Sequence, residues 1–194
     1  MGGKVLKIAA LVLAVALVVC IPLFVDSTYA TDANQISAPS DFKFYRTTGN
    51  RQTEITDGSS EPVFSNTLLE PGHTTVEYFT LTGTGKFEYG FQLSAGSHAL
   101  SALAEAIDVY YLETDEPLTG GRQSALASMH YLGTLDKVIG NDELFRAEGN
   151  GSASFAVALQ MRPSAGNAYQ GLSLYTENDA PCCFNVILKA APKN

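Results

Sequence analysis

Tryptophan is absent from this sequence, and histidine, cysteine and methionine occur three times each. The three histidines, His73, His98 and His130, stand far apart. None lies in His-Glu-x-x-His, the pattern that sets two imidazoles one helical turn apart on a zinc ion. Short of convergence in space, they read as a turn residue, a helix-start residue and a strand residue. Cys20 falls in an N-terminal apolar run, which leaves Cys182 and Cys183 side by side. Neighbouring strand residues face opposite ways, so this pair reads as one buried and one exposed thiol, with a strained vicinal disulfide as the alternative. Neither arrangement is a disulfide scaffold, so the fold must rest on its hydrophobic core. No Gly-x-Ser-x-Gly elbow is present, and Gly83-Thr84-Gly85 joins two strands rather than opening a helix over a phosphate. Asp108, Asp115, Glu116, Asp136, Asp142, Glu143 and Asp179 are scattered, without the repeat of a calcium loop. No catalytic residue, metal ligand or cofactor is expected.

Positive charge is also scarce. Lysine and arginine number 12 against 20 aspartate and glutamate, a net charge of −8. Such a balance argues against nucleic acid and anionic lipid surfaces as partners.

The N-terminus reads as a secretory leader. Lys4 and Lys7 precede an uncharged apolar run from Ile8 to Val25. Thr28 and Ala30 supply the small residues before a cut between Ala30 and Thr31. A retained anchor is the alternative, and it would be the chain's sole membrane contact. Val19 stands where a lipobox needs a small residue before Cys20, which disfavours lipidation. Cleavage removes two lysines and one aspartate, leaving a more acidic mature chain. Residues 31–40 are small and polar, with Ile36 the lone large apolar side chain. They read as a flexible arm, and residues 41–194 as one domain.

Within that domain, alternating runs predominate. Leu68–Leu93 predicts an antiparallel hairpin, turned at Pro71-Gly72 and again at Gly83-Thr84-Gly85. Phe87, Tyr89, Phe91 and Leu93 share one strand face at period two. Phe155, Val157, Leu159 and Met161 share another, after a turn at Glu148–Ser152. Further strands are read at Asp41–Arg46, Gln52–Ile55, Pro62–Phe64, Ile107–Glu113, Met129–Leu132, Leu144–Arg146 and Phe184–Lys189. Short helices are read at His98–Ala106 and Thr134–Ile139. Strands without alternating helices predict an all-β, antiparallel two-sheet sandwich with one or two short helical insertions. The later strands Phe155–Met161 and Phe184–Leu188 are expected to cover the aromatic face of the hairpin. Tyrosines at 78, 89, 110, 111, 131, 169 and 175 could form a carbohydrate-binding face, an idea weakened by the missing tryptophan. Asn150-Gly151-Ser152 is a glycosylation sequon, relevant in a host that glycosylates secreted proteins.

Four pieces occur in the order of a known family. They are the junction Thr28-Tyr29-Ala30-Thr31-Asp32; Asn66-Thr67-Leu68-Leu69-Glu70-Pro71-Gly72 before an alternating strand; Leu103–Val109 with Leu132-Gly133-Thr134-Leu135; and Leu159–Pro163 followed by Gly166-Asn167-Ala168-Tyr169-Gln170-Gly171 and a terminal strand. On these the chain resembles the TasA/camelysin family of secreted biofilm-matrix and fibre-forming proteins. It departs at Ala190-Ala191-Pro192 and in the longer segment carrying the cysteine pair. The resemblance implies a jelly-roll sandwich and a secreted structural subunit of an extracellular fibre. Its partners would be copies of itself and other matrix proteins. The residues matching the polymerisation arm are Thr31, Asp32, Ala33, Asn34, Gln35, Ile36, Ser37 and Ala38, which would add as a strand to the next subunit. A monomeric carbohydrate-binding module and a camelysin-like metallopeptidase are the alternatives.

Overall fold

In the computed structural model the chain divides into two units, Met1–Thr31 and Asp32–Asn194. The structure describes residues 34–58, 63–65, 71–94, 102–114, 126–139, 145–169 and 183–193, all in the second unit. The expected leader, the Ala30/Thr31 junction, Asp32, Ala33, His98 and Cys182 lie outside the described residues.

The described strands are β1 (Gln35–Ser37), β2 (Lys43–Thr48), β3 (Arg51–Ile55), β4 (Phe64–Ser65), β5 (Thr74–Ser94), β6 (Ile107–Thr114), β7 (His130–Thr134), β8 (Phe145–Met161) and β9 (Cys183–Pro192). One helical turn, α1 (Leu135–Val138), and 3-10 turns at Ala102–Ala106 and Pro163–Tyr169 accompany them. The protein is therefore all-β with few helical turns, as its alternating runs predict.

Its centre differs from the expected hairpin. Gly83-Thr84-Gly85 does not turn the chain: β5 runs unbroken for 21 residues. Nor does Glu148–Ser152 turn it, since β8 runs unbroken for 17. The two strands pair antiparallel from Thr74↔Gln160 to Phe91↔Phe145. Between Thr82↔Ser152 and Lys86↔Asn150 the register shifts, and residues 83–85 oppose Gly151 alone. The glycines thus serve a bulge, which bends and twists a ribbon without ending it. Gly85 at φ 68° and Gly151 at φ 71° adopt the left-handed conformation that such a bulge demands. A glycine-rich bulge and a glycine-rich turn have one composition, so alternation on either side cannot distinguish them.

Each limb of the ribbon recruits its own flanking strands. On the Thr74–Thr82 limb, β2 pairs with β5, β3 with β2, β6 with β8 and β7 with β6, all antiparallel. On the Phe87–Ser94 limb, β9 pairs antiparallel with β5, and β4 with β9. All nine strands belong to one sheet. That sheet is mixed rather than purely antiparallel, because β1 runs parallel to β9.

Ring contacts show how the limbs face each other. Phe155 stacks on its register partner Phe79 at 4.8 Å. It also meets Tyr89 and Phe91, from the other limb, at 5.7 Å each. The bent ribbon therefore folds its aromatic face inward on itself. Phe44, Phe79, Leu81, Phe87, Leu93, Phe155, Val157, Val186 and Leu188 are all fully buried in that one core. The two period-two faces read from the sequence are thus correct, but β8 and β9 are sheet neighbours of β5, and cover comes from the bend.

Close ring packing dictates two glycines. A Cβ on Gly83 would lie 2.4 Å from the Phe42 ring, and one on Gly149 would lie 2.4 Å from the Phe87 ring. Phe42 and Phe87 meet edge to face at 5.3 Å, so both glycines sit under one aromatic pair. A part-buried ion pair joins β2 to β5 on the Thr74–Thr82 limb. Arg46 donates from Nε and from a terminal nitrogen to the two carboxylate oxygens of Glu77, 2.8 Å each. Bidentate charge-assisted pairs of this kind hold a fixed geometry.

Gly149→Ala should destabilise the fold by about 1–3 kcal/mol, because the ring it meets is locked in the core. Gly58→Ala, whose added methyl meets nothing within 4 Å, should cost less, through its φ of 72° alone. Urea unfolding of the two variants checks the order; equal losses would count against ring overlap as the cause.

Candidate functional site

Residues 34–38 form a short strand on their own domain. Asn34 is buried, Gln35 exposed, Ile36 half-buried, Ser37 exposed and Ala38 half-buried. That is the period of a strand with one covered face. Ile36 and Ala38 pack against the main core. Pro39 follows, and Phe42 N–H donates to its carbonyl at 3.0 Å, turning the chain toward β2.

The seat of this strand has two walls. One is β9, paired through Gln35↔Ile187, Ile36↔Leu188 and Ser37↔Lys189. The other is the turn after β3, at Asp57-Gly58. Gly58 N–H donates to the Asn34 carbonyl at 2.9 Å. Ile36 N–H donates to Asp57 Oδ1 at 2.9 Å. Asn34 Oδ1 in turn accepts from Val186 N–H at 3.4 Å. One segment thus bridges β9 and the β2–β3 arm of the sheet. Asn34 is 2% exposed, and with Arg46, Thr48, Thr53, Glu54, Ile55 and Val63 it lines a cleft of about 140 Å³. At the far end of β9, Lys193 reaches Glu148 and, at 3.7 Å, Glu88, tying the strand's end to β8 and β5.

The expected arm residues are therefore divided. Asn34, Gln35, Ile36, Ser37 and Ala38 come together in the seat, while Thr31, Asp32 and Ala33 lie outside the described residues. Instead of hanging free, the described part docks on its own subunit. Its sequence is too polar to predict this, because the docking force is the edge of β9. Asp57, Gly58 and Val186 were not legible as site residues. An Asp-Gly pair after a strand signals a turn, and nothing local says which backbone it will hold.

Elsewhere, His73 contributes its carbonyl to Met161 N–H at 3.1 Å, and the His130 ring lies 5.3 Å from Tyr111. Among the described residues, no three His, Cys, Asp or Glu side chains gather where they could hold a metal ion. Asn150 is exposed at the bulge.

A second surface feature lies on the outer face of the same sheet. Val76, Ala156 and Ala158 are buried there beneath Tyr78, Tyr110, Leu126 and Met129. Tyr131 on β7 is 55% exposed, the one large apolar side chain so exposed among the described residues. Its ring lies 5.5 Å from Tyr110. Arg162 Nε donates to Asp108 Oδ1 at 2.9 Å. This bond, with a further one to Tyr131, holds the guanidinium still more firmly charged than usual. Burial, reinforced by the Asp108 carboxylate, pushes the Tyr110 phenol above its ordinary value.

No family model, curated protein or solved structure matches the chain. The reading of function accordingly rests on the seat and its chemistry.

Because the phenol of Tyr110 is raised in the folded state, its contribution is complete below the unfolded tyrosine value near 10 and is lost as pH rises through the folded one. The urea midpoint should fall above about pH 10, and less steeply in Tyr110→Phe. Phenolate absorbance followed alongside unfolding checks this; equal slopes would remove Tyr110 from the cause.

Proposed function

We propose that the chain is a secreted structural subunit of an extracellular fibre or biofilm matrix, assembling head-to-tail by donation of its N-terminal arm. The resemblance to the TasA/camelysin family, and the jelly-roll sandwich it implies, belong to this reading. So do the secretory leader cut between Ala30 and Thr31, and other matrix proteins as further partners. One observation carries it: residues immediately after the expected leader form a three-residue strand that plugs the edge of β9. An edge strand carries unpaired N–H and C=O groups that any extended segment can satisfy. The arm's seat is filled from within a single subunit, and the same seat accepts the same residues of a neighbour. Intramolecular filling gives a monomer. Filling in trans is heterologous and does not close, so it propagates a filament. Short edge strands open at low cost compared with core strands, and the exposed Pro39-Ser40-Asp41 segment supplies the hinge for the exchange.

The test mixes two single variants in a background whose native cysteines are serine. One chain carries Ser37→Cys and the other Lys189→Cys, which are register partners. A disulfide between them can form only across subunits. Filaments grown from the mixture should yield covalent dimers on a non-reducing gel. Filaments without such dimers would refute donation of the arm to this edge.

A second reading, a carbohydrate-binding surface, draws support from Tyr131. An exposed ring beside the planar Arg162 and Asp108 groups suits stacking on a sugar face with hydrogen bonds at its rim. Under this reading wild-type protein is retained on insoluble chitin or cellulose and Tyr131→Ala is not. Equal elution of both forms ahead of the polysaccharide would dispose of it.

A further inference from the structure

The seat makes demands on side chains as well as on backbone. Gly58 N–H needs a carbonyl from the residue at position 34. Val186 N–H needs a side-chain acceptor from that same residue. The Asp57 carboxylate needs a backbone N–H two residues later, at position 36. The inward face then takes a branched apolar side chain at 36 and a small one at 38, both against the core.

Resting on the donor-strand reading, we propose that the seat selects its occupant, accepting Asn34–Ala38 of a second copy of this chain in preference to other extended segments. Asn34 sets the register. Side chains alternate along a strand, so a slip of one residue turns Asn34, Ile36 and Ala38 outward and sends Gln35 and Ser37 into the core. A slip of two in one direction puts Ile36 in the place of Asn34 and leaves Val186 N–H unpaired in a closed site. A slip of two in the other direction puts Asp32 there, a charge at a position 2% exposed. Only one alignment satisfies all three polar groups without burying a charge. A lone buried amide that specifies register among otherwise permissive contacts is a known device for partner choice. The occupant follows from this chemistry: an acceptor, any residue, a branched apolar residue, any residue, a small residue, with no proline at the third. The arm of this chain meets each requirement.

The experiment repeats the mixed-chain crosslink with two changes in the Ser37→Cys donor, Asn34→Ala or Gln35→Ala. With Asn34→Ala, dimer yield in filaments should fall by about tenfold, the scale of leaving a buried N–H unpaired. Gln35→Ala, on the exposed side, should leave the yield unchanged. A merely structural weakening of the arm would lower both. In parallel, a synthetic peptide of residues 31–40 is added in excess to the wild-type chain. It should suppress filament growth, and the same peptide with Asn34→Ala should not. Wild-type dimer yield from the Asn34→Ala donor, or equal loss from both variants, overturns the selection while the donor-strand reading stands. Absence of dimers from the unaltered donor refutes that reading and this inference together.

Discussion

The structure depends on the stacking of Phe155 between two halves of one bent ribbon. Phe155 is paired with Phe79 in the sheet, yet it also touches Tyr89 and Phe91 beyond the bend. A twisted two-strand ribbon has an apolar face that needs cover. Here the ribbon supplies its own cover by folding at the Gly83–Gly85 bulge. Every other strand is then placed by which limb it pairs with. Gly83 in the bulge and Gly149 next to it leave no room for a side chain, because Phe42 and Phe87 close over them. Backbone curvature and ring packing are therefore one constraint.

That constraint also creates the site. Because β9 joins one limb and β2–β3 the other, a gap runs between the outer edge of β9 and the turn at Asp57-Gly58. Sheet edges with unpaired backbone are liabilities unless covered. This chain covers the gap with residues 34–38, held by their pairing to β9, by hydrogen bonds to Asp57, Gly58 and Val186, and by two modest apolar contacts. The attachment is small by design of its size: three paired residues against the full lengths of β5 and β8. A contact of this size opens at lower free-energy cost than the core strands. Among the described residues, the buried Thr47 and Thr134 hydroxyls find no hydrogen-bond partner, so polar satisfaction there is less complete than in the seat.

Much of the fold was legible in the chain's alternation. The inward sets Phe87, Tyr89, Phe91, Leu93 and Phe155, Val157, Leu159, Met161 follow from period two alone, and each is buried. The strands at β2, β3, β6 and β7 and the turn at α1 also sit close to where residue pattern puts them. The misreadings share a cause. Glycine pairs at 83–85 and 149–151 have the composition of turns, and only cross-strand register distinguishes a turn from a bulge. Of the site, the arm's residues were legible through the resemblance, whereas Asp57, Gly58 and Val186 were not.

What the sequence determined by itself is the strand content, the two apolar faces and the polarity of the arm, since these depend on neighbours two residues away. What only the tertiary structure decided is that the ribbon bends instead of ending, that β1 lies parallel to β9, and that Asn34 is buried. Each of these joins residues far apart in the chain, Asn34 to Val186 and Phe79 to Phe155 among them. Pairings at such separation are chosen by the summed burial of a whole core, which no local pattern encodes.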